Sequence, residues 1–465
     1  MTTYIVSAND LNGILDAAVG GDFVFVNENI LVSNPVGNGI QLDDAFNSVT
    51  IHGHVVSADA IGIHLSAGSG TTGQNVLTIG ASGSAQGLTV AVRMDDGSNT
   101  LINNGGIHGV GSFANGATIG GSNNLVVNNG VISASSNGIG FSSGVAGTNQ
   151  LENFGLIQGG DNAIFGSSAT DDTVINRGNI SGNVTFFGGA DHFDNDGGTI
   201  TGRINMGADN DTLLGGAGRE RALGGAGADE MDFGGGNDVY LAGNPEGEGA
   251  PDGNDDLDGG DGIDTYDAST TFANTVISLI EHRAFGTDIG NDFVFNFESV
   301  AGGSGADNIA GDDGRNVLKG NSGADILTGR AGIDRLNGGD AADTLTGGAD
   351  RDILQGGAGA DRFDFNASSE SATGVATRDI ILDFELGIDD IDLSTIDANG
   401  VGAGNTAFVY IGAGAFTNTA GELRLGTFAA LGISVIQGDT NGDGTADIEI
   451  QLKGALVLAA GDFIL

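Results

Sequence analysis

The 465-residue chain has no cysteine, no tryptophan, only three prolines, and 15 basic side chains against 61 acidic ones. Without cysteine there can be no disulfide framework and no thiolate metal site. The formal charge of −46 leaves no basic patch for phosphate and sets the surface against nucleic acid and anionic lipid. Residues 1–200 hold 16 acidic side chains and two basic ones, Arg93 and Arg177. No apolar run reaches the length of a membrane span, and Met1 to Asp10 lacks the basic region and apolar core of a signal peptide. Export would have to be directed from elsewhere in the chain. Cations and neutral glycans are the partner classes that this composition leaves.

Glycine, with 87 copies, is abundant for a reason that its spacing reveals. From Gly302 to Asp364 one nonapeptide, approximating G-G-x-G-x-D-x-U-x with U a large apolar residue, is written seven times in unbroken register. The sixth position reads Asp307, Asn316, Asp325, Asp334, Asp343, Asp352, Asp361, and the eighth Ile309, Leu318, Leu327, Leu336, Leu345, Leu354, Phe363. Glycines allow a tight turn with positive φ that turns backbone carbonyls toward a common point, and the aspartate adds a hard charged oxygen suited to calcium. The last three residues make a short strand with its apolar member inward, so two repeats form one coil of a flattened roll. Each aspartate then stacks on the one two repeats away. Stacked carboxylates repel without a cation, which makes metal binding and folding one event. On this pairing Asp343 is an interior rung and Asp352 ends its column.

These repeats resemble the RTX family of calcium-binding proteins exported by bacterial type I secretion. A more worn array precedes them, starting at Met206, Gly215, Gly224 and Phe233, with Asp211, Glu220, Asp229 and Asp238 in the sixth position; after an insertion, Asp255 and Asp264 continue it. The resemblance implies several calcium ions held by Asp211, Asp229, Asp238, Asp255, Asp264, Asp307, Asp325, Asp334, Asp343, Asp352 and Asp361, with turn glycines Gly302, Gly305, Gly320, Gly323, Gly338, Gly356 and Gly359. Residues 268–301, richer in large apolar side chains, look like the strand-rich spacer of that family. Arg378 to Ser394 and Gln437 to Asp447 resemble the C-terminal domain of serralysin-type proteases, and the terminal Asp462-Phe463-Ile464-Leu465 its uncleaved export signal. Four terminal residues are expected to add little core. Asp439, Asn441 and Asp443 imitate the front of an EF-hand loop, but Ile450 stands where the bidentate acid belongs.

The N-terminal part reads as strand, amphipathic helix (Asp10 to Val19) and strand, similar to the cap of right-handed parallel β-helices of the pectin-lyase type. Looser repeats follow, with a column His52, Thr78, Asn103, Asn128, Asn153, Asn176, Asn195. Coils of this length fit three strands per turn, and the asparagines fit a ladder of side-chain amides between coils. The fold class is therefore all-β: a right-handed parallel β-helix, then calcium-bound parallel β-rolls, then a β-rich secretion domain. Its divisions are a cap (1–45), the β-helix (46–205), a first roll (206–267), the spacer (268–301), a second roll (302–364) and the serralysin-like C-terminal domain (365–465).

Catalytic signals are sparse. Acidic pairs at Asp43-Asp44, Asp95-Asp96 and Asp171-Asp172 could serve a glycosidase, but each fits a solvated turn better. His52 and His54, two apart on an expected strand, lack a third metal ligand. Gly140-Phe141-Ser142-Ser143-Gly144 satisfies G-x-S-x-G without a following helix. No H-E-x-x-H zinc motif occurs. The sequence thus points to a secreted calcium-binding structural or adhesive protein of the surface-layer, biofilm or adhesin type. Matrix polysaccharide and self-association are its open partners, and a polysaccharide-acting β-helix enzyme or glycan-binding module is the competing class.

Overall fold

The computed structural model describes residues 3–10, 14–16, 21–43, 45–67, 73–142, 144–243, 252–400 and 405–465. Among the described residues regular structure is almost wholly strand; the helical elements are the single 3-10 turns Ala429–Leu431 and Ala460–Asp462. The chain forms two units, Met1–Val239 with Asp255–Gly262, and Tyr240–Asn254 with Ile263–Leu465.

In the first unit the coils from Phe23 to Ser142 each contribute three short parallel strands. The coil Thr100–Asn103, Gly106–Gly109, Asn115–Gly120 lies under Asn124–Asn128, Val131–Ser133, Asn137–Ser142, in register at Leu101↔Val126, Ile107↔Ile132 and Ile119↔Phe141. Period-two alternation explains why such short segments hold: every second side chain points inward and meets its counterpart one coil on. The resulting stack runs Val24, Val49, Leu77, Leu101, Val126, Leu151, Val174, Phe193, Leu213, Met231, Leu257. All are buried. The stack passes from the β-helix into the first roll without a break.

The asparagine ladder stands beside this core. Asn103, Asn128, Asn153 and Asn176 each donate from Nδ2 to the Oδ1 of the next asparagine, ending at Asn195, at 2.6 to 2.8 Å and at steps of 25, 25, 23 and 19 residues. All five are fully buried, so the ladder satisfies amides that water cannot reach. The two earlier members differ from expectation. Asn103 registers with Ile79 and Ile79 with Ile51, so Thr78 and His52 are one residue off the column, and aliphatic side chains fill it in the first coils.

The expected cap helix is also corrected. Ile14–Asp16 is a strand paired in parallel with Ile40–Leu42, and Asp10 bridges Val32; residues 11–13 and 17–20 lie outside the described ones. A ten-residue helix is marginal without packing, whereas a neighbouring coil offers the same backbone a full set of partners. Thr3–Val6 already pairs with Phe23–Val26, so coiling starts there.

In the second unit the nonapeptides form a two-sided roll. Its apolar columns are Ile309, Leu327, Leu345, Phe363, Ile391 on one side and Val300, Leu318, Leu336, Leu354, Ile381 on the other, all buried. The spacer enters the roll through Thr275–Ser278, which pairs in parallel with Asn308–Ala310 and folds back as antiparallel Arg283–Gly286 and Gly290–Phe295. After the roll, Glu422–Phe428, Ile433–Asp439 and Ile448–Lys453 form an antiparallel sheet joined to Asp379–Ile381. The last residues contribute more than expected. Phe463 is buried, pairs with Ile391 and lies 4.9 Å from the Tyr410 ring, while Asp462 accepts N–H groups of Gly387 and Ala459.

Replacing Asn128 by Ala removes the acceptor for Asn103 and the donor to Asn153 and to the Leu156 carbonyl. It should cost about 2 kcal/mol through the buried groups left unpaired, by the same amount with calcium and with chelator, as read by denaturant titration.

Candidate metal centre

The sixth-position carboxylates share one hydrogen-bonding rule. Each accepts, at Oδ1, the backbone N–H of its counterpart one coil earlier: Asp307 N–H to Asp325, Asp325 to Asp343, Asp343 to Asp361 in one column, and Asn316 to Asp334, Asp334 to Asp352 in the other, at 2.7 to 3.0 Å. In the first unit the same bond joins Asp211 to Asp229, Glu220 to Asp238 and Asp229 to Asp255. Asp264 donates its N–H to Glu298 Oε2 at 2.8 Å, so the spacer supplies an acid where no nonapeptide exists. Glu298 was missed because the repeat is absent around it.

The second carboxylate oxygen carries the chemistry. Oδ2 of Asp211, Asp229, Asp325, Asp334, Asp343, Asp352 and Asp361 is buried and has no hydrogen-bond partner, although these side chains are 2 % exposed or less. An ionised oxygen cannot remain so without a cation. In the second roll the glycine that opens each repeat makes the room. A Cβ on Gly338 would sit between Asp343 Oδ2 and the carbonyl oxygen of Gly356, one on Gly320 between Asp325 Oδ2 and the Gly338 carbonyl, and one on Gly302 between Asp307 Oδ2 and the Gly320 carbonyl. On Gly356 it would meet Asp361 Oδ2. Carboxylate and carbonyl oxygens therefore converge on a space that only glycine leaves open, a donor set of the kind calcium takes. Among the described residues no three acidic or imidazole side chains converge, so backbone carbonyls must complete each site. The fourth-position glycines hold the turn: Gly323 and Gly359 have φ of 119° and 156°, and the space beside Gly323 is closed by the Gly305 carbonyl. Ala341 and Asp350 hold the same position at φ of 86° and 78° without being glycine.

Asp307 differs from the other rungs. Its Oδ1 accepts from Thr275 and its Oδ2 from the Gly303 N–H at 2.7 Å, so protein donors satisfy both oxygens. Asp352 does not end its column, as the repeat had implied: its N–H donates to Asp379 Oδ1 at 2.8 Å, and that of Asp361 to Asp389 Oδ1 at 2.9 Å. Asp379 and Asp389 stand 27 and 28 residues on, beyond the nonapeptide spacing that marks the others.

The remaining sequence candidates close on themselves. Asp439 accepts N–H groups of Asn441, Gly442 and Gly444, and Asp447 binds Thr440 and Asn441, a turn held by donors and not a cation loop. His52 and His54 do not share a strand, because the chain turns between Ser48–Ile51 and His54–Ser57; His52 packs on Phe25 and His54 bonds Ser84. Asp95 binds His64 at 2.9 Å and Arg93 at 2.9 to 3.0 Å, and Asp96 accepts the Ala67 N–H. Ser142 ends a strand with no helix after it; Asp44 and Ser143 lie outside the described residues.

Stacked turns with buried, half-satisfied carboxylates define a calcium-binding parallel β-roll. Residues 255–465 match the family described as Peptidase M10 serralysin C terminal, and residues 207–240 match the RTX calcium-binding nonapeptide repeat (4 copies). These matches give the chain RTX calcium-binding repeats and a serralysin-type C-terminal region. Among solved structures it is similar to the R3 subunit of the Azotobacter vinelandii mannuronan C5-epimerase AlgE6 (28% identity over 35% of this chain and 78% of that one, TM-score 0.20) and to its R2 subunit (27%, 33% and 89%, TM-score 0.24). It is also similar to the extracellular lipase LipA of Serratia marcescens (17% identity, 55% of this chain and 40% of that one, TM-score 0.22). No curated protein matches the chain.

Without metal, burial pushes the carboxyls of Asp325, Asp334 and Asp361 up to about 6, those of Asp229, Asp343 and Asp352 to about 7, and that of Asp211 to about 9. A folded pKa above the unfolded one means that the metal-free fold holds protons the unfolded chain releases. Its stability is greatest below about pH 4 and is lost as pH rises through about 6 to 9. In excess chelator, β-sheet circular dichroism should grow as pH falls from about 8 to about 4, while the calcium midpoint should rise over the same range as protons compete for Oδ2. Metal-free β content independent of pH would contradict this.

Proposed function

We propose that this calcium-binding protein serves as a structural or adhesive component on the outside of a bacterial cell, with the sixth-position aspartates, Asp211 through Asp361, as its calcium ligands. The observation that carries the reading is the buried carboxylate with one oxygen unpartnered, repeated at Asp211, Asp229, Asp325, Asp334, Asp343, Asp352 and Asp361. Such a roll is unstable at cytosolic calcium and stable at the roughly millimolar level outside, where modules bind at about 10⁻⁴ to 10⁻³ M. RTX repeats followed by a serralysin-type region are typical of type I export, and an unfolded roll suits passage through a narrow channel. None of the helical segments among the described residues is long and apolar enough to cross a membrane. The surface-layer, biofilm and adhesin roles share this design.

A second reading, glycan recognition or turnover on the β-helix, rests on one observation. A cleft of about 660 Å³ is lined by Ser66, Arg93, Asp95, Asp96, Ser122 and Ser142, among others. Against catalysis there, Asp95 already satisfies both His64 and Arg93.

Where the protein accumulates tests the proposal. In calcium-containing culture it should be retained on cells or matrix and be released by chelator. Accumulation entirely free in the medium, or turnover of uronate polymers by the purified chain, would overturn the structural role.

A further inference from the structure

The strands that end at Leu65, Met94, Gly120, Ser142, Phe165 and Thr185 lie one per coil in parallel register, so five steps separate the first from the last. At about 4.8 Å per step the row runs roughly 24 Å. The turns that follow these strands stack into a groove that neither the amide ladder nor the roll uses. Its first part is the cleft of about 660 Å³ that holds Arg93, Asp95, Asp96, Ser98, Asn123 and Ser142. Its second, of about 600 Å³, is lined by Phe141, Phe165, Phe187 and Ser168. Ser142 and Gly144 line both parts, which makes them halves of one groove.

The floor is rigid, and the side chains above it are free to bind. The turns are tied to one another by backbone bonds: the Gly97 N–H donates to the Gly120 carbonyl, the Ser98 N–H to that of Ser122, and the Gly121 N–H to that of Ser142. Asp96, Ser98 and Asn123 hold left-handed φ of 75°, 54° and 60° without being glycine, conformations that persist only where the surroundings fix them. Arg93 uses only Nε on Asp95, and Asp96 uses Oδ2 on Ser66 and Ala67. Among the described residues the terminal guanidinium nitrogens of Arg93, Asp96 Oδ1, Ser98 Oγ and Ser142 Oγ have no protein partner. In the second half Phe165 and Phe187 meet edge to face, with centroids 4.7 Å apart, and both stay half-buried.

Partly exposed aromatic rings next to a row of free donors and acceptors suit one ligand chemistry. A sugar lays its C–H face on a ring while its hydroxyls both donate and accept. Charge narrows the class. Residues 1–200 hold 16 acidic side chains against Arg93 and Arg177, and Asp95 and Asp96 stand in the groove itself, which repels a uronate or sulfated chain. Arg93, a cation that needs acceptors, opposes an amino sugar.

We propose that this groove binds a neutral glycan, with Phe165 and Phe187 against a sugar ring and Arg93, Asp96, Ser98 and Ser142 bonding the hydroxyls of neighbouring units. A run of roughly 24 Å takes an oligosaccharide segment and not a single sugar. The proposal rests on the glycan reading of the β-helix and assigns it binding without turnover, since Asp95 is held between Arg93 and His64.

The test is calorimetric titration of the full chain at saturating calcium with neutral hexasaccharides of glucose, galactose and mannose in α and β linkage, beside a hexauronate and a glucosamine hexamer. At least one neutral hexasaccharide should bind, more tightly than either charged one. Arg93→Gln and Phe187→Ala should each weaken that binding about tenfold, and Phe285→Ala, exposed in the spacer, should leave it unchanged. Binding of no neutral hexasaccharide, tighter binding of a charged one, or neutral binding that both groove variants leave intact would overturn the proposal. Should a variant fail to fold, hydroxyl-radical footprinting of the wild type decides: the bound hexasaccharide should shield Phe165 and Phe187, and unchanged reactivity overturns the site. A chain retained on cells that binds no neutral glycan overturns the groove alone, whereas a chain free in the medium that binds one overturns the structural role alone.

Discussion

The bond from a backbone N–H to the carboxylate of the next coil is the constraint on which this molecule depends. At Asp211, Asp229, Asp325, Asp334, Asp343, Asp352 and Asp361 it orients the side chain the same way, with Oδ1 used by the protein and Oδ2 turned into a space without donors. A single buried carboxylate left half satisfied would be expensive. On the proposed reading, a column of them holds at neutral pH because a divalent ion between coils would neutralise the charge and link successive turns at once. The rest fits that geometry: in the second roll glycine opens each repeat, where a Cβ would crowd the carboxylate oxygen, and each strand turns an apolar side chain into the core.

The two parts of the first unit are versions of one design that differ in what fills the ladder. Asn128 and Asn153 bond through neutral amides and need nothing from solution. Asn195 then donates to Glu220 Oε1 at 2.7 Å; from there the column is acidic. The change accompanies the shortening of the coil from 25 residues to 18. A coil with three strands encloses enough apolar surface to hold its turns. One with two short strands encloses less, and ion coordination offsets the difference. The first unit is thus divided into a part that folds by burial alone and a part whose folding is conditional on its surroundings.

The sequence made much of this legible. The nonapeptide period located the second roll and the alternation of its apolar column, and the spacing of Asn103, Asn128 and Asn153 located the amide ladder. It failed where periodicity was broken. Thr78 and His52 fell out of register because Leu77-Thr78-Ile79 aligns equally well one residue off when the column holds no asparagine. The segment around Ile14 has an amphipathic pattern that a helix and an edge coil both satisfy, and pairing with Ile40–Leu42 decided between them. Asp379 and Glu298 carry the ladder bond but lack the glycine signature, since the ladder requires only an acid at the right height and not the turn that usually precedes it. The terminal residues looked like a signal alone, yet Phe463 and Asp462 are tied into the sheet.

The central claim is that ion binding and roll formation are the same event. It is tested most directly by following bound calcium and β-sheet signal together in one titration of the metal-free full chain at neutral pH. The account expects the two curves to coincide and to rise steeply, because a rung cannot bind until its neighbour is formed. Calcium taken up with no change in β content, or a roll fully formed before any ion is bound, would contradict it.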